Sequence, residues 1–529
     1  MEDLTEAPAS ERVVAPAGTP RPARPSPAPT PWPALAVGFV VALGVVVRFA
    51  TVSALWLDEA QTVAIAKVPL RQLPEALRHD GAPPLFYVLL HGWIRVFGDS
   101  NLSVRFLPGL FAVAALPLMW LAGRRVGGRP VAWAALVLLA ASPFAVRYAT
   151  ETRMYSMVAF LVLVGYLATR ELLDRPRSRR AAVGVGAVTA ALLLSHYWSL
   201  YLLAVVGAIF AALALRGPSP AREGARRGLL AMAVGALLFV PWVPSFLYQL
   251  AHTGTPWGGS GRLRNMIDTV FAFSSGYWDP GLVLGMLTYA LIALALLGRG
   301  VDNRRIELDL RTRPGGRHLA IAGFGTLAVA ILATVAGGSA FAVRYAAVLF
   351  PMIVLLAALG ITVFLDRRVR YGLLAAAVVF GFWGIAPNVF GDRTSAPRVA
   401  AALKAGVRAG DVVAYCPDQL GPSVSRLLPA AFPADQLTFP RRTGPQLVDW
   451  VDYAATNKAA DPTAFANLLL DKAGRTGTVW VVWAPGYRTF KDKCQGILGT
   501  LDLARRDNNR PVKLPKNFEH PGLIRFPPT

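Results

Sequence analysis

The sequence predicts an α-helical polytopic membrane protein of about eleven transmembrane helices, followed by a C-terminal extracytoplasmic α/β domain. Of the 529 residues, 54% are hydrophobic and only 16% are charged, which is too apolar for a soluble globular protein. Apolar runs of 16 to 22 residues recur between Pro33 and Asn388, so the bilayer must be the solvent for most of the chain. Charges and alternating patterns return after Pro387. A cytoplasmic enzyme, a fibrous protein and a disulfide-rich toxin are excluded.

The N-terminal segment, residues 1–33, contains nine prolines in a mixture of Ala, Pro and Arg that cannot bury a core. We expect a disordered cytoplasmic tail, followed by a signal-anchor helix that opens a membrane domain over residues 34–390. The candidate spans of this domain are 34–55, 105–122, 131–150, 154–169, 181–196, 199–215, 228–246, 281–298, 319–336, 345–364 and 372–389.

The arginines alternate with these spans. If the N-terminus is cytoplasmic, the cytoplasmic loops carry 21 arginines and the alternate short loops carry five. By the positive-inside rule, this asymmetry orients a multi-pass protein in the cell membrane. It also accounts for much of the formal charge of +23, so we expect the lipid bilayer as a partner and no nucleic acid. Because eleven is odd, the C-terminal domain lies outside the cytoplasm.

Two outer connections stand out. The first outer loop, residues 56–104, contains an apolar stretch at 84–94 that is too short to span, which predicts a helix along the membrane interface. Residues 181–215 carry no charge apart from a possible one on His196. As one helix they would be about 52 Å long, so we expect a hairpin that turns near 195–199 at the outer face.

The C-terminal domain, residues 391–529, shows short apolar runs at 411–415 and 478–483 that are typical of buried strands. Amphipathic stretches flank them at 399–408, 461–473 and 487–501. The alternation predicts a small α/β domain with a mainly parallel sheet. The only two cysteines, Cys416 and Cys494, lie in this domain. In an oxidising compartment a disulfide is the more common state, and two free thiols are the alternative.

An acidic pair, Asp58 and Glu59, stands directly after the first span. Such a pair at a membrane surface can simply be solvated. Arg48, however, lies inside the predicted span, about 15 Å deeper than Asp58 if the helix continues, and an unpaired charge there costs several kcal/mol. It needs a partner or a water-filled cavity.

Several cations and aromatic residues share the same predicted membrane level. Arg147 and Arg153 flank Glu151, which is consistent either with an ion pair that closes a helix hairpin or with an anion pocket, because the guanidinium fork matches phosphate oxygens. Further candidates follow at this face: Tyr148, His196, Tyr197, Arg344 and Tyr345. A polyprenyl phosphate linked to a sugar would suit such a site, and a carboxylate beside it could accept the proton of an acceptor hydroxyl.

Residues 56–60, 83–87, 147–156, 195–197 and 344–351 together resemble the GT-C superfamily of polytopic glycosyltransferases. The branch to which they are most similar is that of the protein O-mannosyltransferases and aminoarabinose transferases, in the bacterial form common in actinobacteria. The resemblance covers residues 34 to about 390. The chain departs from the pattern at Ala82, where many relatives place a histidine directly before the proline pair. The neighbouring His79 and Asp80 are candidates for substrate contact.

The resemblance implies the residue roles. Asp58 would be the general base with Glu59 beside it, and Glu151 would be a second acid. The donor phosphate would be held by Arg147, Arg153, Arg344, His196 and Tyr345, and the substrate would contact His79, Asp80, Tyr148 and Tyr197.

The implied activity is transfer of a sugar, with mannose expected, from a polyprenyl-phosphate donor to an extracytoplasmic acceptor with inversion. The acceptor would be a cell-wall glycan, a lipoglycan or a protein. The outer loops contain no Asp-x-Asp pair, so no metal site is predicted and arginine would neutralise the phosphate; no cofactor is expected, although a divalent cation is left open. A transporter or flippase of a lipid-linked or anionic solute is the alternative, although the sequence shows no internal repeat of spans.

Overall fold

A computed structural model describes residues 32–254, 259–260, 262–274, 281–337, 340–514 and 517–528. Most of the predicted cytoplasmic tail therefore lies outside the described residues. The helices up to residue 390 are α1 (Trp32–Val47), α2 (Leu57–Lys67), α3 (Leu73–Asp80), α4 (Leu85–Phe97), α5 (Asn101–Ala140), α6 (Pro143–Ala149), α7 (Tyr155–Asp174), α8 (Arg179–Leu193), α9 (Ser199–Arg216), α10 (Ser219–Leu237), α11 (Val243–His252), α12 (Asn265–Phe273), α13 (Gly281–Leu297), α14 (Pro314–Ala320), α15 (Thr326–Ala336), α16 (Phe350–Ile361) and α17 (Arg367–Phe390). Two short antiparallel pairs accompany them: β1 (Gly259–Ser260) with β4 (Ala340–Phe341), and β2 (Gly298–Gly300) with β3 (Ile306–Leu308).

The helices agree with a multi-pass membrane protein. Within the described residues, five helices are long and apolar enough to cross a bilayer, or six if the bent pair of α10 and α11 counts as one span. Each of the eleven predicted spans contains at least part of one helix, but several of these helices are shorter than a bilayer crossing. The number eleven therefore stays a prediction.

The 40-residue helix α5 consists of two legs. Gly127 and Gly128 leave the helical conformation, and Gly128 has a φ of 75°, which favours glycine. The legs then run side by side, since a Cβ added at Gly123 would lie 2.7 Å from Cα of Ala132. The two predicted spans at 105–122 and 131–150 thus correspond to this hairpin and to α6.

The expectation that the first span continues to residue 55 is wrong. Helix α1 ends at Val47, and the fully buried Arg48 donates hydrogen bonds to the carbonyl oxygens of Gly44 at 2.6 Å, Leu139 at 2.6 Å and Ala140 at 3.0 Å. The last carbonyls of a helix lack partners within the helix, so this guanidinium closes the ends of both α1 and α5. The partners of the buried Arg48 charge are therefore backbone oxygens, and not the carboxylates Asp58 and Glu59.

The C-terminal domain contains the helices α18 (Ala396–Gly406), α19 (Gly421–Ser425), α20 (Tyr453–Ala459), α21 (Pro462–Ala473) and α22 (Lys493–Ala504). Its sheet is built from β5 (Val412–Cys416), β6 (Asp435–Thr438), β7 (Val479–Trp483), β8 (Asn509–Val512) and β9 (Gly522–Phe526), in the order β6-β5-β7-β9-β8. The first three strands are parallel, whereas β9 is antiparallel to both β7 and β8. The predicted helical membrane fold with a C-terminal α/β domain is confirmed, and the parallel pattern holds for one half of the sheet. Cys416 and Cys494 form a disulfide between β5 and α22.

The C-terminal domain sits directly on α2. Trp56 and Leu57 belong to the apolar cluster that contains Cys416, the last residue of β5, and Phe439, which follows β6. The Gln61 side chain pairs with the backbone of Val448 through two hydrogen bonds of 3.1 Å. The helix that carries Asp58 is thereby packed between the membrane part and the sheet.

Candidate active site

A cavity of about 280 Å³ lies where the first outer loop, the turn between α8 and α9, and the C-terminal domain meet. Its volume is close to the lower end of the range for small-molecule sites, about 300–1,000 Å³. The predicted site residues that line it are Asp58, Asp80, Arg153, His196, Tyr197, Arg344 and Tyr345. The cavity therefore contains two carboxylates and two guanidinium groups.

Asp58 is the second residue of α2, and its side chain is 14% exposed. Its Oδ2 atom lies 3.4 Å from Nη2 of Arg344, which is longer than the 2.7–2.9 Å of a charge-assisted hydrogen bond. No described residue donates a hydrogen bond to this buried oxygen. The carboxylate is therefore oriented by a cation while an oxygen stays available to accept a proton.

Arg153 is fixed by neighbours on the first outer loop. Its Nη1 atom donates to Oγ1 of Thr62 at 2.9 Å and to the Tyr87 hydroxyl at 3.3 Å. Tyr87 in turn donates to Oδ2 of Asp80 at 2.7 Å, and Gln61 donates to the other Asp80 oxygen at 2.7 Å. Asp80 thus holds the frame around Arg153 as well as lining the cavity.

His196 lies in the turn between α8 and α9 and is buried. Burial, with the charges of Arg153 and Arg344, lowers its pKa to about 3, so the ring is neutral at physiological pH. Its Nδ1 atom accepts a hydrogen bond from the backbone N–H of Trp198 at 3.2 Å. This assigns the proton to Nε2, which makes the ring a neutral donor for an oxygen in the cavity. The Tyr345 ring packs 5.4 Å from it.

Glu59 lies outside the cavity. Adjacent residues of a helix point about 100° apart, and Glu59 turns inward to form a bidentate pair with Arg105 at 2.6 and 2.7 Å. It also accepts a hydrogen bond from the backbone N–H of Thr152 at 3.0 Å. Burial raises the pKa of Glu59, but Arg105 and the remaining partners outweigh burial and hold it below the usual range. The geometry makes Glu59 a structural anion that ties α2 to α5.

Glu151 and Arg147 also lie apart from the cavity. Glu151 is fully buried and pairs with Arg147 at 3.2 Å, one helical turn away. Burial raises the pKa of Glu151 in spite of this arginine. Arg147 and Tyr148 line a separate, more open pocket beside Asn388. Of the two interpretations of this motif, the geometry favours the ion pair that closes the helix hairpin. The two arginines do not share one anion pocket, because Arg153 lines the cavity with Asp58 and Arg147 lines the separate pocket.

Two further predicted residues, His79 and Tyr197, make contacts around the cavity. Nδ1 of His79 contacts Asp449 of the C-terminal domain at 2.9 Å, and the side chain does not line the cavity. The Tyr197 hydroxyl donates to Gln249 and accepts a hydrogen bond from Trp242 at 3.0 Å. His79 thus joins the two domains, whereas Tyr197 forms part of the wall.

Sequence reasoning missed Gln61, Gln249 and Trp450, all of which line the cavity. Gln61 stands three residues after Asp58, a spacing that places both side chains on one helix face and could have revealed it. Trp450 comes from the C-terminal domain, and its backbone N–H donates to the carbonyl oxygen of His79 at 2.9 Å. No local pattern marks Trp450, because only the docking of the two domains brings it there. Among the residues with described positions, no three His, Cys, Asp or Glu side chains form a group suited to a metal ion.

The comparisons with known proteins agree with this architecture. The sequence pattern of the family described as dolichyl-phosphate-mannose-protein mannosyltransferase matches residues 81–244. No protein with curated annotation matches the chain in sequence. In structure, the chain is similar to ArnT from Cupriavidus metallidurans in the apo state, with a TM-score of 0.61 at 14% identity over 93% of this chain and 98% of ArnT. The form of ArnT bound to undecaprenyl phosphate gives a TM-score of 0.56 at 14% identity over 94% and 98%. The chain is thus a multi-pass membrane protein with the fold of ArnT, and its residues 81–244 carry the mannosyltransferase family pattern.

Proposed function

We propose that the chain is a glycosyltransferase that moves a sugar from a polyprenyl-phosphate donor to a hydroxyl of an extracytoplasmic acceptor. The observation that carries the proposal is the cavity in which the Asp58 carboxylate faces Arg344 at 3.4 Å, with Arg153 in the same wall. A membrane donor with one phosphate needs cations for its leaving group and a base for its acceptor. These side chains supply both.

In the proposed reaction Asp58 accepts the proton of the acceptor hydroxyl, whose oxygen attacks the anomeric carbon of the donor sugar. The bond from that carbon to the phosphate oxygen breaks on the opposite face, so the configuration inverts. Arg153 and Arg344 neutralise the charge that develops on the departing polyprenyl phosphate. His196 donates from Nε2 to an oxygen of the donor. Arginine thereby takes the part that a divalent ion would otherwise play.

The donor tail requires an apolar site inside the membrane part. A second cavity, of about 320 Å³, is lined mainly by apolar side chains of α7, α8 and α9. Leu200 and Tyr201 of α9 line the catalytic cavity, and Leu202, Leu203 and Val206 line the second one. We assign the first isoprene units of the donor to this second cavity because one helix borders both.

Mannose is our proposal for the sugar, because the mannosyltransferase family pattern covers residues 81–244, which include Arg153 and His196. The acceptor belongs to the cell-wall glycans, lipoglycans or proteins outside the cytoplasm. With the acceptor site outside the cytoplasm, the N-terminus is cytoplasmic, as the arginine asymmetry predicts.

The test is incubation of purified protein with radiolabelled polyprenyl-phospho-mannose or polyprenyl-phospho-arabinose and a cell-envelope acceptor fraction. We expect the mannose label to move, and Asp58→Asn to abolish transfer. The matched control is Asp435→Asn, which changes an exposed carboxylate paired with Lys472 in the C-terminal domain. Transfer of arabinose alone would overturn the sugar assignment. Absence of transfer from both donors would overturn the proposed function, and full turnover by Asp58→Asn would overturn the role of Asp58.

A further inference from the structure

The helix that carries Asp58, α2, has no capping side chain in its own segment. Trp56 occupies the N-cap position, and its side chain accepts no hydrogen bond from α2. The acceptor comes from the C-terminal domain instead: Oε1 of Glu519 accepts a hydrogen bond from the backbone N–H of Leu57 at 3.0 Å. The first N–H groups of a helix lack partners within the helix, and a carboxylate is favourable there. Glu519 therefore replaces a cap that the local sequence does not provide.

Glu519 is itself held firmly. The side chain is 3% exposed, and Ser423 of α19 donates to the same Oε1 atom at 3.1 Å. The backbone N–H of Glu519 donates to the carbonyl oxygen of Arg393 at 2.9 Å, and its carbonyl oxygen accepts from Ser395 at 3.2 Å. These contacts fix Glu519 to the segment that leaves α17, while α19 packs against α2.

Aromatic and apolar contacts also hold the start of α2 against the C-terminal domain. The ring of Phe518 meets Trp56 edge to face at 5.1 Å, and the Arg344 guanidinium lies 5.9 Å from the Trp56 ring. Trp56 and Leu57 belong to the apolar cluster of the C-terminal domain, which includes Cys416 at the carboxyl end of β5 and Phe439 after β6. In open α/β sheets this edge usually binds a ligand. Here the two residues that immediately precede Asp58 share an apolar cluster with residues of this edge.

We propose that Glu519 is a positioning residue for Asp58, and that the C-terminal domain acts as a clamp on α2 that sets the place of the Asp58 carboxylate in the cavity. The catalytic consequence rests on the proposed function, since it takes Asp58 as the base. Loss of the Glu519 acceptor frees the first turn of α2, which contains Asp58. A displacement of about 1 Å in a reacting group can lower a rate by about a hundredfold.

The first experiment measures the position of residue 58 without any activity. In an Asp58→Cys variant the new thiol is the only free one, because the two native cysteines are bonded to each other. Its alkylation rate is compared with and without Glu519→Ala. We expect the alkylation rate to rise about fivefold in Glu519→Ala, because loss of an N-cap acceptor shifts the equilibrium between the folded and the frayed helical turn by about that factor. Glu519→Gln retains a carbonyl oxygen and leaves the rate unchanged, as does the control Asp435→Ala in the same domain.

Two results bear on the clamp alone. An unchanged alkylation rate in Glu519→Ala would overturn it. If that variant does not fold, Phe518→Ala replaces it, since Phe518 is 65% exposed and its removal loosens Trp56 without burying an unpaired group. An unchanged rate in Phe518→Ala would then overturn the clamp.

The second experiment uses the transfer assay with Asp58 intact. We expect Glu519→Ala to lower kcat about tenfold or more through misplacement of the base, with the KM for the donor unchanged and with rescue by Glu519→Gln. A loss confined to KM would overturn the positioning role. If alkylation responds but the native protein transfers no sugar, the proposed function fails while the clamp stands. If transfer occurs and alkylation does not respond, the clamp fails while the function stands.

Discussion

Replacement of Arg344 by alanine tests which of the arginines predicted from sequence binds the donor phosphate. By sequence, Arg147 and Arg344 are equivalent candidates for the donor phosphate. In the structure Arg344 lines the cavity that contains Asp58, whereas Arg147 pairs with Glu151 and lines a different pocket. We expect Arg344→Ala to weaken donor binding strongly and Arg147→Ala to leave it almost unchanged.

The magnitude follows from the surroundings of Arg344. A phosphate charge about 4 Å from a guanidinium gains about 4 kcal/mol at an effective dielectric constant of about 20. Part of this gain is offset because Arg344 already pairs with Asp58 and is 17% exposed. Hydrogen bonds to charged groups contribute about 1.5–3 kcal/mol net. The dissociation constant for the donor should therefore rise about 10- to 100-fold.

The assay is titration of purified protein with undecaprenyl phosphate, together with the KM for the acceptor in the transfer reaction. The acceptor KM should change little in Arg344→Ala, because the arginine is assigned to the leaving group. Arg147→Ala is the matched control, and its cost should appear in thermal stability, since the buried Glu151 loses its 3.2 Å partner. Equal loss of donor affinity in the two variants would refute the division into two pockets, and equal loss of donor and acceptor affinity in Arg344→Ala would refute its role.

Three other predictions concern the tail, metals and pH. Val206→Trp fills part of the second cavity and should raise the KM for a full-length polyprenyl donor but not for a short-chain analogue. The control is Val183→Trp on α8, because Val183 is 70% exposed. Equal effects of Val206→Trp on both donors would contradict the tail assignment. Transfer should persist in excess EDTA because arginines neutralise the phosphate, and activity restored only by a divalent ion would contradict this. Burial raises the pKa of Asp418 to about 7, so the folded state retains a proton that the unfolded state has lost above about pH 4. This stabilisation is fully present below about pH 4 and is lost as the pH rises to about 7. The melting temperature should therefore fall between about pH 4 and 7, and that of Asp418→Asn should fall less; an identical slope would contradict the buried-proton argument.

The sequence by itself determined the class of the fold. A chain in which apolar runs recur at bilayer length has one solvent available for them, because backbone groups in lipid must be satisfied within helices. The return of charges and of alternating runs after residue 387 likewise marked the separate α/β domain. The strands β6, β8 and β9 went unpredicted. Strand β8, for example, carries Arg510 and Pro511 and resembles a polar loop. Strand β9 is placed by its pairing with β7, which is remote in sequence, and β8 is placed by its pairing with β9.

Only the tertiary structure decided which charges face the cavity. Asp58 and Glu59 are neighbours in sequence, yet the helix turns one toward Arg344 and the other toward Arg105. Arg48 found backbone carbonyls, and Arg147 found a buried glutamate. Apart from the Arg147–Glu151 pair, which is local, these choices depend on groups tens to hundreds of residues away. A buried charge is stable only where the fold brings it a partner. Local sequence lists the ionisable groups of such a site, and the packing of distant segments assigns each one its partner.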